Sequence, residues 1–220
     1  MAAAHPSRAG RPMNVAERLR ASKLIAIVRG SDPQAALQTV LTIADEGIEL
    51  IEVSLTTADA TGILRRARDL LDDSTALGAG TVVSRDDASR AADAGAEFIV
   101  TPALGPGIAE ARSRALPVIA GALTPSEIVE ATNQGATAIK LFPASLGGVA
   151  YLRALRDPFP AVPFVPVGGV DADLARQYLA AGAIAVGIGS PLIGDAASGG
   201  SLDELRQRAR QFLATVRDAT

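Results

Sequence analysis

The chain of 220 residues has no cysteine, no tryptophan and a single histidine. Without cysteine there is no disulfide, no thiolate nucleophile and no sulfur-ligated metal, a composition that fits a reducing cytoplasm. His5 lies in a short Ala/Pro/Arg/Gly tail, so a histidine triad, an HExxH zinc site and imidazole acid–base catalysis are not expected. Any chemistry must come from Lys, Glu, Asp, Ser, Thr, backbone groups or water, and no cofactor is expected. Aromatic residues make up only 3% of the chain, which argues against stacking platforms for bases or sugars. The net charge is −3 and no basic cluster appears, so no nucleic-acid partner is expected. No apolar run approaches the roughly 18 residues of a membrane span, so no membrane partner is expected either. Met1 to Pro12 lacks the apolar core of a signal peptide and reads as a disordered extension. Residues 13–220 then form one domain, long enough to bury a sizeable core without disulfides.

Lysine is scarce too. Lys23 and Lys140 stand against nineteen arginines. Lys140 sits in the apolar run Ala138-Ile139-Lys140-Leu141-Phe142-Pro143, which reads as a buried strand ending at proline. Arginine stays protonated in proteins, whereas a desolvated lysine can lose its proton and act as a nucleophile. A Schiff-base lysine fits this setting. So does a strand-end lysine whose ammonium reaches water.

The rest of the chain repeats one unit. After a short helix over 13–22, the apolar run Leu24 to Val28 ends at Arg29-Gly30, and Asp32-Pro33 caps and opens a helix to about Glu46. Further strands are predicted over 48–53, 76–79, 97–100, 117–120, 136–141, 164–167 and 184–188. Helices are predicted over 58–71, 85–94 and 107–115, from a start at 124–127, and over 147–156, 171–180 and 202–216, with a Gly/Ser-rich loop over 196–201. Thr124 and Glu127 have capping-box spacing. Gly47, Gly95, Gly135 and Gly182 recur between a helix and the next strand, where a left-handed stop is needed. Eight strand–helix units with apolar strands indicate a parallel sheet covered by helices, closed as a (β/α)8 TIM barrel. A doubly wound open sheet is the alternative, weakened because no GxGxxG follows the first strand.

Such barrels carry their chemistry at the strand C-terminal ends. Here those ends present Arg29, Glu52, Gly80-Thr81, Thr101-Pro102, Gly121, Lys140, Gly168-Gly169 and Gly189-Ser190. Arg29 suits an anion or a rim carboxylate. Glu52 alternates with Ile51 and Val53, and burial against the helices would be costly, so the barrel interior is expected, within reach of Lys140. A neutral lysine attacks a ketone to give a carbinolamine and then an iminium, with a carboxylate moving the protons. A structural ion pair would use the same two residues. The glycine turns after strands seven and eight fall where barrels bind phosphate through backbone N–H groups, although turn geometry alone also favours glycine.

Taken together, Ile25-Ala26-Ile27-Val28-Arg29, Ile51-Glu52-Val53, Gly78-Ala79-Gly80-Thr81-Val82, Thr101-Pro102, Lys140-Leu141-Phe142-Pro143 and Val167-Gly168-Gly169 resemble the 2-keto-3-deoxy-6-phosphogluconate aldolase family and its galactonate-type relatives. The resemblance runs from about residue 13 to 217. It implies a metal-independent class I aldolase that releases pyruvate and glyceraldehyde 3-phosphate from a phosphorylated 2-keto-3-deoxy sugar acid. It makes Lys140 the Schiff-base lysine and Glu52 the general acid/base. Arg29 and Thr81 hold the carboxylate end, and Gly168, Gly169, Gly189 and Ser190 the phosphate. Thr56, Pro102, Phe142 and Val167 complete the expected substrate-binding set. The resemblance also implies a homotrimer.

Two positions depart from the gluconate pattern. After the glutamate this chain has Ser54-Leu55-Thr56-Thr57, so Thr56 replaces an arginine expected on pyruvate's carboxylate. Val167 stands where a threonine hydroxyl would face the sugar, as in galactonate-type relatives, and one hydroxyl can bias epimer choice. A galactonate-type or relaxed enzyme is the reading. Alternatives are a 4-hydroxy-2-oxoglutarate aldolase, a phosphosugar isomerase or epimerase with no use for a nucleophilic lysine, and a non-enzymatic sugar-phosphate-binding or assembly protein.

Overall fold

Strand β1 (Leu24–Val28) pairs in parallel with β2 (Leu50–Ser54), and the pairing continues through β3 (Ala76–Gly80), β4 (Phe98–Val100), β5 (Val118–Ala122), β6 (Ala138–Leu141) and β7 (Phe164–Pro166). The last strand, β8 (Val186–Ile188), pairs back onto β1. A single parallel bridge, Val167 to Gly187, joins the end of β7 to β8 and brings the sheet round to a barrel. The structure is a computed structural model and describes residues 14–219; the expected extension over 1–12 lies outside them.

The expected (β/α)8 barrel is present, with helices α1 (Val15–Ser22), α2 (Pro33–Asp45), α3 (Ala60–Leu70), α4 (Arg85–Asp93), α5 (Pro106–Ser113), α6 (Pro125–Asn133), α7 (Gly148–Arg156), α8 (Ala172–Ala180), α9 (Ser190–Ile193) and α10 (Leu202–Asp218). Local chemistry starts several of them where the sequence places their caps. Asp32 accepts from the amides of Gln34 and Ala35 ahead of Pro33, and Thr124 forms a reciprocal capping box with Glu127. The capping box of α1, Asn14 with Glu17, starts that helix two residues later than predicted, and Met13 is outside the described residues. Gly47, Gly95, Gly135 and Gly182 all have positive φ at their helix-to-strand turns, and Ala115 (φ 59°) takes that conformation after α5 without being glycine.

Boundaries shift where the tertiary pairing decides them. β2 begins at Leu50 rather than 48 and reaches Ser54, because its ladder to β3 runs from Leu50–Ala76 to Ser54–Gly80. The turn expected at Gly189-Ser190 opens into the one-turn helix α9, with Pro191 in its first turn. The loop expected over 196–201 carries a 3-10 turn at Ala196–Ser198, which packs against α2.

Strand alternation separates two cores. Ile25, Ile27, Leu50, Phe98, Ile119 and Val165 fill the barrel, and Val15 and Leu19 of α1 join them. The opposite strand faces, with Ile51, Val53, Leu77, Ile99 and Ile139 among them, pack under the helices in a larger second layer. The interior therefore thins from large apolar residues to Glu52, Lys140 and glycine as the strands approach their C-terminal ends. No described helix is long and apolar enough to cross a membrane.

Candidate active site

Alternation decides which side chains reach the mouth of the barrel. Arg29 follows Ile25 and Ile27, Glu52 and Ser54 follow Leu50, and Lys140 follows Ala138, all on interior positions. Above them lies a cavity of about 470 Å³. Arg29, Thr81, Pro102, Lys140 and Phe142 line it. So do Val167, Gly168, Gly169, Gly189 and Ser190. Ten of the twelve residues expected from the sequence thus share one cavity, and only Glu52 and Thr56 stand off its wall.

Glu52 is buried inside the barrel, with 1% of its surface exposed. Its place is created by β3: a Cβ on Gly80 would lie 1.7 Å from Glu52 Oε1, so only glycine leaves room for the carboxyl. Gly78 similarly admits the Phe98 ring. Burial raises the Glu52 carboxyl above the ordinary carboxylate range, against the opposing pull of the Lys140 and Arg29 charges. A carboxyl held in this way can retain its proton to higher pH and act as an acid as well as a base.

Lys140 is 6% exposed. Its Nζ lies 5.2 Å from the centroid of the Phe142 ring. Among the described residues it makes no ion pair, and its amine does not approach the Glu52 carboxylate within 4.0 Å. The two are not a closed structural pair, and the amine is open to a carbonyl carbon in the cavity. Phe142 precedes a cis bond to Pro143, and its ring packs where a side chain on Gly168 would go.

Arg29 is exposed at the mouth and pairs with no carboxylate among the described residues, so the rim pairing that its position allowed is not formed. Thr81 has φ 59°, a left-handed conformation that costs a non-glycine residue about 1–2 kcal/mol. The neighbouring backbone holds it there through Leu55 N to Gly80 O (2.8 Å) and Val82 N to Val100 O (3.2 Å). Thr101 Oγ1 accepts from the Gly121 amide at 3.1 Å, and the Pro102 backbone covers Gly121 so closely that a Cβ there would sit 2.3 Å from it. Gly168 (φ 99°) and Gly169 (φ 73°) form a tight turn opposite the start of α9, with Ser190 exposed at its head. Backbone at such turns can approach an anion without side-chain obstruction.

Two features were not among the expected site residues. Ser54 is fully buried, and its Oγ lies 2.8 Å from both Thr56 Oγ1 and Thr81 Oγ1. Its position two residues after Glu52 is the signal that puts it on the same face. Thr56 itself is exposed and touches the cavity only through this hydroxyl link. Gly187 is the other: it admits Val167, whose Cγ2 would lie 2.6 Å from a Cβ at 187. No group of three or more His, Cys, Asp or Glu that could hold a metal ion occurs among the described residues.

Comparison with known proteins places this chain in a family. Residues 15–207 match the sequence model described as KDPG and KHG aldolase. A 2-dehydro-3-deoxy-6-phosphogalactonate aldolase of Escherichia coli (strain K12) is 32% identical over 198 residues, covering 89% of this chain and 95% of that protein. A 2-dehydro-3-deoxy-phosphogluconate aldolase of Treponema pallidum (strain Nichols) is 34% identical over 74% of this chain and 77% of its own length. A solved 4-hydroxy-2-oxoglutarate/2-dehydro-3-deoxyphosphogluconate aldolase from TTHB1 superposes with a TM-score of 0.78 at 35% identity, covering 93% of this chain and 99% of that one. With the family's pattern matched across the barrel, this chain belongs to the KDPG and KHG aldolase family, whose members are aldehyde-lyases.

Proposed function

We propose that the chain cleaves a phosphorylated 2-keto-3-deoxy sugar acid to pyruvate and glyceraldehyde 3-phosphate through a Schiff base on Lys140. The observation that carries this reading is the unpaired, nearly buried Lys140 amine on the cavity wall, with the raised carboxyl of Glu52 inside the same barrel. In its neutral form Nζ adds to the ketone carbon, and Glu52 protonates the departing hydroxyl, leaving an iminium and water. Glu52, now ionised, takes the proton of the C4 hydroxyl while the C3–C4 bond breaks. The aldehyde leaves, and the bonding electrons become an enamine. Glu52 returns its proton to C3, and water hydrolyses the iminium to free pyruvate and the amine. Arg29 and Thr81 hold the carboxylate, and the turns at Gly168-Gly169 and Gly189-Ser190 hold the phosphate.

Incubation with pyruvate followed by borohydride should leave a mass adduct on Lys140, and Lys140→Arg should form none while remaining folded. Folded, unaltered protein that traps no adduct would sink the Schiff-base reading and leave the isomerase or binding alternatives. A second substrate is favoured by the family description itself, which names a KHG aldolase. Cleavage rates for the galactonate and gluconate epimers and for 4-hydroxy-2-oxoglutarate separate the possibilities, with the galactonate-type or relaxed preference expected from Val167. The assembly expected is a homotrimer, tested by light scattering at three times the chain mass.

A further inference from the structure

We propose that Ser54 and Thr56 are positioning residues that turn the Thr81 hydroxyl into a donor aimed at the carboxylate of the keto acid. The inference rests on the proposed aldolase reading and assigns work to two hydroxyls that the mechanism leaves unused. Three hydroxyls run in a line: Thr56 Oγ1 is 2.8 Å from Ser54 Oγ, which is 2.8 Å from Thr81 Oγ1. Thr56 is exposed, Ser54 is fully buried, and Thr81 lines the cavity. The line therefore connects bulk solvent to the substrate pocket through one serine.

A serine hydroxyl carries one proton and two lone pairs. The Thr56 amide already lies 3.5 Å from Ser54 Oγ, at the outer limit of a hydrogen bond, on the acceptor side of that oxygen. The line then has two polarities. If Thr56 also gives its hydroxyl proton to Ser54, Ser54 gives its own to Thr81, and the Thr81 proton faces the cavity. If Ser54 donates to Thr56, Thr81 must donate to Ser54 and show lone pairs to the cavity. An anionic carboxylate beside Arg29 selects the first arrangement, and each bond in the chain then strengthens the next. The left-handed backbone of Thr81 and its flanking backbone bonds fix the hydroxyl's origin, so only its direction is left to set. Where the gluconate pattern has an arginine at position 56, this chain reaches the carboxylate by relay.

The test uses the full-length protein and measures the half-saturation of borohydride trapping on Lys140 by pyruvate and, separately, by pyruvamide, its uncharged analogue. Ser54→Ala should raise the pyruvate constant about tenfold and Thr56→Val about threefold, since each removes one hydrogen bond from a charged acceptor's chain. Thr56→Ser, which restores the hydroxyl, should return to within about twofold of the unaltered protein, and the pyruvamide constants should barely move. Thr56→Val changes an exposed position, so its result stands even if Ser54→Ala folds poorly. Constants that do not move in Thr56→Val, or that rise equally for pyruvate and pyruvamide, overturn the relay. A normal adduct with unmoved constants defeats the relay alone; no adduct in the unaltered protein defeats the aldolase reading and the relay together.

Discussion

The carboxyl of Glu52 occupies the space that a side chain on Gly80 would need. Its Oε1, Cδ and Cγ lie 1.7, 2.3 and 2.5 Å from where that Cβ would be. The two residues sit on adjacent parallel strands, two positions out of register, on the interior face. One strand thus supplies the acid and the next supplies the room for it.

Gly80→Ala should therefore damage activity more than stability. The methyl cannot share the site with the carboxyl, and overpacking of this kind costs about 1–3 kcal/mol. A carboxyl displaced by an ångström should lower kcat by about 100-fold. Thermal melts and turnover on the same sample separate the two effects. Normal turnover would show that Glu52 has no need of its present place.

Glu52→Gln should make stability less sensitive to rising pH. Burial holds the Glu52 carboxyl above its unfolded range, so between the two values the folded state binds more protons than the unfolded one. Stability then falls as pH rises through that window, and the neutral amide removes the fall. The melting temperature of Glu52→Gln relative to the unaltered protein should rise as pH increases above the ordinary carboxylate range, while activity drops by about 100-fold or more. A gap that shrinks with pH would mean that Glu52 is stabilised as the anion.

Gly169→Ala should weaken only phosphate-bearing substrates. At φ 73° an alanine is strained, and its Cβ would lie 3.3 Å from Ser145 Cβ, so the turn must shift. The KM for a phosphorylated aldehyde in the condensation direction should rise about tenfold, with the pyruvate constant unchanged. Equal weakening of a non-phosphorylated aldehyde would place the phosphate elsewhere.

Val167→Thr should change epimer preference rather than chemistry. The residue is buried against Gly187 and faces the cavity, so a hydroxyl there offers one new hydrogen bond to the sugar. The ratio of kcat/KM for the gluconate and galactonate epimers should move toward gluconate by up to about tenfold, with pyruvate trapping unaffected. An unmoved ratio would remove position 167 from the specificity determinants.

The repeating pattern was legible because its causes are local. Caps at Asp32 and Thr124, left-handed stops at Gly47, Gly95, Gly135 and Gly182, and apolar runs of strand length all act within a few residues. They determine eight strand–helix units, and eight units with buried parallel strands close. The same local reading singled out Lys140, because a lysine inside an apolar run is unusual wherever the strand ends up. Alternation then placed Glu52 on the face opposite Ile51 and Val53, within reach of Lys140, without naming the residues it packs against.

Those neighbours were decided by the tertiary structure alone. That Gly80 is empty for Glu52, that Gly187 admits Val167 at the closing bridge, and that Ser54 joins Thr56 to Thr81 all depend on the register between strands. Residues 52 and 80, or 54 and 81, are separated by some thirty positions, and nothing in either segment alone states their offset. Hence the sequence alone determined which elements form and which residues carry reactive groups. Packing across strands determined the space, the hydrogen-bond partners and the burial that raises Glu52, because these are properties of side chains meeting at a distance along the chain.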